Sequence, residues 1–158
     1  MINGFLISII CFLGLFIGLF IASKTEEELK SGKKYFILLQ KSFFILIVFF
    51  VLYEYNFLFL GIILLVMLSL FFFWTKRDFH KQMYFVLAFG LFASFNNNSI
   101  TIPLLVFFFG LLTGTLFFIN YKKKNLIVLA KKLFFKYYFF ILIMISLFIL
   151  EYFVELIL

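Results

Sequence analysis

The sequence predicts an all-α polytopic integral membrane protein, a bundle of about six transmembrane helices with both termini outside. Three observations carry this reading. Of 158 residues, 66% are hydrophobic and only 13% charged, against roughly half and a quarter in an ordinary soluble domain, so too little polar surface exists to cover a globule in water. The apolar residues fall into runs long enough to cross a hydrocarbon layer. All fourteen basic residues gather on alternate loops, as short cytoplasmic loops require.

Residues 2–22 form the first span, interrupted only by Asn3 and Ser8. No basic residue precedes Lys24, so the run lacks the charged start of a secretory signal and is expected to stay in place. A charged loop, residues 23–34, leads into a 40-residue apolar stretch ending at Trp74, too long for one crossing. Tyr53-Glu54-Tyr55-Asn56 divides it, because a charge and a turn-favouring Asn stand between interfacial tyrosines. This gives spans at 35–53 and 57–74. A second long stretch is broken by Asn96-Asn97-Asn98-Ser99 and Pro103, giving spans at 83–96, short for a crossing, and 101–119. Lys131, Lys132 and Lys136 interrupt residues 126–136, which read as an interfacial amphipathic segment before a last span at 137–155.

The charges test this count. Lys24, Lys30, Lys33, Lys34 and Lys41 flank the first loop, Lys76, Arg77 and Lys81 the third, and Lys122, Lys123, Lys124, Lys131, Lys132 and Lys136 the fifth. The opposite side carries only Glu54, Glu151 and Glu155. The basic loops are therefore expected in the cytoplasm of a multi-pass cell-membrane protein.

A shift of 96 residues aligns Gly14-Leu15 with Gly110-Leu111, Gly18 with Gly114, and 43–47 with 139–143 without gaps. Helices 1–2 and 5–6 could be related hairpins of like orientation, although a Phe-, Ile- and Leu-rich chain yields short identities cheaply. Gly14 and Gly18, extended by Ala22, and Gly110 and Gly114 put small residues on one helical face, where another backbone can approach closely. Packing within the chain or homodimerisation would use these faces.

Other candidates are weaker. Glu54, Glu151 and Glu155 could form an outer polar rim that binds a cation, with Glu151 and Glu155 on one face of the last helix; a hydrated helix end beside an aromatic belt is the simpler reading. Lys33, Lys34, Lys41, Lys76, Arg77, Lys122, Lys123, Lys124, Lys131, Lys132 and Lys136 serve as anchors to anionic lipid headgroups. Lys41 and Lys136 sit near the start of Phe-rich spans and are expected to snorkel to the interface, Lys41 with no carboxylate at its depth. Asn97-Asn98-Ser99 is a formal glycosylation sequon in a turn too close to lipid for easy use. One Asp, one His and one Cys leave no catalytic dyad, disulfide or metal set within one chain, and no cofactor is expected. Nucleic-acid binding is not expected, since no folded module accompanies the lysines.

In the first loop, Thr25 can cap a helical turn with Glu28 three positions on, and Gly32 can end it. The stretch Glu-Glu-Leu at 27–29 followed by Gly-Lys-Lys-Tyr-Phe at 32–36 resembles the first loop of small multi-spanning membrane proteins from archaea with reduced genomes. The likeness covers about a dozen residues and implies no activity. The function expected is a non-enzymatic accessory or scaffold subunit, with partner membrane subunits or further copies of the chain. The alternative is a small channel or transporter built on the two related hairpins, which has against it the scarcity of ionisable residues at mid-membrane depth.

Overall fold

The computed structural model describes residues 2–74, 80–95, 99–121 and 125–157. Among them all regular structure is helical: α1 (Ile2–Lys24), α2 (Glu26–Glu54), α3 (Leu58–Trp74), α4 (His80–Phe95), α5 (Thr101–Asn120) and α6 (Leu126–Ile157). Four helices, α1, α2, α5 and α6, are long and apolar enough to cross a membrane. The apolar helices α3 and α4 are shorter, at 17 and 16 residues, or about 25 Å at 1.5 Å per residue.

Two boundaries differ from the sequence reading. Residues 126–136 are not a separate segment but the opening turns of α6, a single helix of 32 residues. No Gly or Pro interrupts this stretch, and Leu129, Leu133, Tyr137, Phe140, Met144 and Phe148 form one buried stripe across the expected break. The charged first loop is likewise mostly helix. Only Thr25 separates α1 from α2, and α2 runs through Gly32 rather than ending there. Thr25 caps nothing, because its hydroxyl donates to the Ile21 carbonyl at 3.2 Å.

The turn between α2 and α3 is a true helix stop. Asn56 adopts φ 60°, a left-handed conformation that Asn tolerates better than most residues. Its neighbour Phe57 donates its N–H back to the Leu52 carbonyl at 2.9 Å, closing a Schellman-type stop.

Helix directions alternate along the chain. α1 and α5 are parallel, as Gly14 faces Phe107 and Gly18 faces Leu111. α2 lies antiparallel on α5, with Gln40 at Thr113 and Phe44 at Phe109. α6 lies antiparallel on α1, with Phe140 at Phe12 and Phe148 at Phe5. α4 fits between α2, α5 and α6, whereas α3 packs on α2 alone. The most buried side chains, among them Leu15, Leu19, Leu87, Leu91, Phe109 and Phe140, surround the α1–α5 pair.

Replacing Asn56 by Val should destabilise the protein by about 1–2 kcal/mol, the cost of a left-handed β-branched residue, whereas Asn56→Gly should be nearly neutral. Unfolding midpoints in detergent check both.

Candidate functional site

The glycines define the closest approach in the bundle. A Cβ added to Gly18 would overlap the Leu111 carbonyl oxygen, and one added to Gly114 would overlap that of Leu15. At Gly14 it would stand 2.6 Å from the Phe107 carbonyl oxygen, and at Gly110 3.2 Å from that of Cys11. Each contact recurs with its partners exchanged 96 residues on, and α2 on α5 is matched by α6 on α1. The four glycines thus meet within one chain, and Ala22 is fully buried beyond them. Polar side chains tie both ends of this seam. The Cys11 thiol donates to the Pro103 carbonyl at 3.3 Å, and the Thr115 hydroxyl lies 3.3 Å from the Gly18 carbonyl and 3.0 Å from that of Leu111.

A polar node that the sequence reading did not single out lies where α2, α4 and α5 meet. Gln40, 1% exposed, donates its side-chain amide to the Thr113 hydroxyl at 2.6 Å, and that hydroxyl donates to the Phe109 carbonyl at 2.8 Å. Tyr84 from α4 packs its ring on Phe109, Phe140 and Tyr137, at centroid distances of 5.3, 5.8 and 4.6 Å. Its buried hydroxyl lies beside Thr113 with no partner in good hydrogen-bonding geometry among the described residues. A lone Gln inside a Phe-rich run was the available signal, since an amide in lipid needs a partner on another helix.

The outer carboxylates are not brought together. Glu54 ends α2 with one oxygen buried and without a hydrogen-bond partner among the described residues, while Glu151 and Glu155 lie on α6, which does not pack on α2. Tyr55 instead ties the end of α2 to α4, donating to the Ala93 carbonyl at 3.0 Å. Among the described residues no group of His, Cys, Asp or Glu side chains could hold a metal ion.

Lys24, Lys41, Lys132 and Lys136 rest on aromatic rings. Lys41 has a partner after all: it donates to the Phe72 carbonyl at 3.1 Å and lies 5.6 Å from the centre of that ring. This places an ammonium on the carbonyl-rich end of α3, where the helix dipole is negative. With Lys34, Ser42 and Ser69 it lines a groove of about 360 Å³ between α2 and α3. Lys33 donates to the Asn120 side chain at 2.8 Å, joining α2 to the end of α5. Lys131, Lys132 and Lys136 line a larger cleft beside the end of α5. Lys76, Arg77, Lys122, Lys123 and Lys124, with most of the Asn97-Asn98-Ser99 sequon, lie outside the described residues.

No family model, no curated protein and no solved structure matches the chain.

Gly18→Ala and Gly114→Ala should each destabilise the protein by about 1–3 kcal/mol, the usual cost of overpacking. Gly61→Ala, whose Cβ would meet only side chains at 3.4 Å or more, should be neutral or stabilising by up to about 1 kcal/mol. Melting temperatures in one detergent rank the three. A double-mutant cycle on Gln40→Leu and Thr113→Val should give a coupling of roughly 0.6 kcal/mol, typical of hydrogen bonds between membrane helices.

Proposed function

We propose that the protein is a non-enzymatic accessory or scaffold subunit of a membrane complex. It crosses the cell membrane six times, with both termini outside and its basic loops in the cytoplasm. The observation that carries the reading is the α1–α5 seam, where two backbones touch at the centre of a bundle filled by Leu, Ile and Phe. A bundle closed along its axis offers no aqueous path there, and its chemistry lies on its flanks and loops. The alternation of helix directions supports an even number of crossings, and the segregation of lysines supports the orientation. The likeness of the first loop to small archaeal membrane proteins belongs to this proposal and adds no activity to it.

A small channel or transporter is the second reading. The buried Tyr84 hydroxyl beside the Gln40–Thr113 pair favours it, because polar groups gathered at that depth are costly in lipid and mark a place where a solute or proton could be met.

Extraction in mild detergent at endogenous expression, followed by the mass and composition of the complex, tests the first reading. Reproducible co-purification with other membrane subunits is expected, and a clean monomer or homo-oligomer would sink it. Selective flux through liposomes holding the protein alone, abolished by Gln40→Leu, would establish the second reading instead. A reporter fused at the C-terminus should be active only outside the cytoplasm.

A further inference from the structure

Consecutive helices of a bundle usually pack together, but α5 and α6 barely touch, because α6 is drawn onto α1 and α4 instead. The separation opens a cleft of about 700 Å³ between the last turn of α5 and the opening turns of α6. Its wall is apolar, formed by the rings of Phe117 and Phe135, and three ammonium groups border it: Lys131, Lys132 and Lys136. Two of these are held in place by aromatic faces. Lys132 lies 5.8 Å from the centre of the Tyr121 ring, and Lys136 5.4 Å from those of Phe117 and Tyr137. Such contacts orient a cation over a ring face, and the described residues lining the cleft are lysines, aromatic residues and Val128. Because α6 is one continuous helix, the lysines are carried on a rigid rod rather than a loop.

The geometry points to a site for an anionic phospholipid, with the headgroup phosphate among Lys131, Lys132 and Lys136 and the first part of an acyl chain along Phe117 and Phe135. The cleft lies at the cationic end of apolar helices, where a headgroup phosphate is found, and it grades from ammonium to hydrocarbon as a phospholipid grades from phosphate to chain. A soluble anion would use the lysines but not the apolar wall. The inference concerns one cleft and holds whether the protein is a subunit or a transporter.

The test is native mass spectrometry of the full chain released from phosphatidylcholine nanodiscs that contain a minority of phosphatidylglycerol. The wild type should retain phosphatidylglycerol selectively. Each of Lys131→Gln, Lys132→Gln and Lys136→Gln should lower that retention about five-fold, corresponding to ~1 kcal/mol per basic residue, while Lys136→Arg retains it. Lys24→Gln removes a charge outside the cleft and should leave retention unchanged. An equal loss in this control would show diffuse attraction and overturn the site, as would equal retention of phosphatidylcholine. Displacement of the lipid by inorganic phosphate would overturn the lipid assignment in favour of a free-anion site. If the triple Lys→Gln variant fails to fold, the double variant at the exposed Lys131 and Lys132 gives the same reading.

Discussion

The contact on which the rest depends is the touch of two backbones, α1 on α5, at Gly14, Gly18, Gly110 and Gly114. In water a helix pair is driven together by burying apolar side chains, but lipid is as apolar as leucine and supplies no such drive. Close packing must then supply the attraction. Glycine costs a helix about 1 kcal/mol relative to alanine, and here that cost is offset by a contact no larger residue permits at Gly18 or Gly114. Once the pair is fixed, the other positions follow: α2 occupies the flank of α5, α6 the corresponding flank of α1, and α4 closes the space between them.

The same lack of solvent explains how the polar groups are handled. Thr113 and Thr115 return their hydroxyl protons to carbonyls one turn back, Cys11 uses the Pro103 carbonyl, and Lys41 uses the last turn of α3. These acceptors are backbone oxygens, already present in every helix and at the correct depth. Gln40, with two N–H groups to satisfy, and Lys33 instead reach side chains on another helix, Thr113 and Asn120. Polar residues in this bundle therefore either return their protons to their own helix, as Ser8 and Ser94 do, or fasten one helix to another, as Cys11, Gln40 and Lys41 do.

Hydropathy and two glycine spacings made much of this legible in advance. The apolar runs were visible because a bilayer imposes a minimum length, and the packing faces because Gly recurs four residues apart. What escaped had specific causes. Residues 126–136 read as a separate segment because lysines break a hydropathy average, although they do not break a helix. Lys41 lacked a partner in the sequence because its acceptor is a carbonyl, which every residue possesses and no spacing reveals. The Gln40–Thr113 pair spans 73 positions, and although a lone Gln in a Phe-rich run stands out, nothing local names Thr113 as its partner. Glu54 and Glu151 suggested one rim because depth can be read from sequence, whereas position around the bundle cannot.

The seam also bears on how the protein is made. Its two halves are separated by the whole of α2, α3 and α4, so α1 is synthesised long before α5. During that interval its glycine face has only lipid or another chain to meet, and a second copy of the same face is a ready substitute for α5. Native closure therefore competes with cross-pairing between nascent neighbours, and the outcome depends on how crowded the insertion site is. The device that holds the finished bundle together makes its biogenesis sensitive to the rate of its own synthesis.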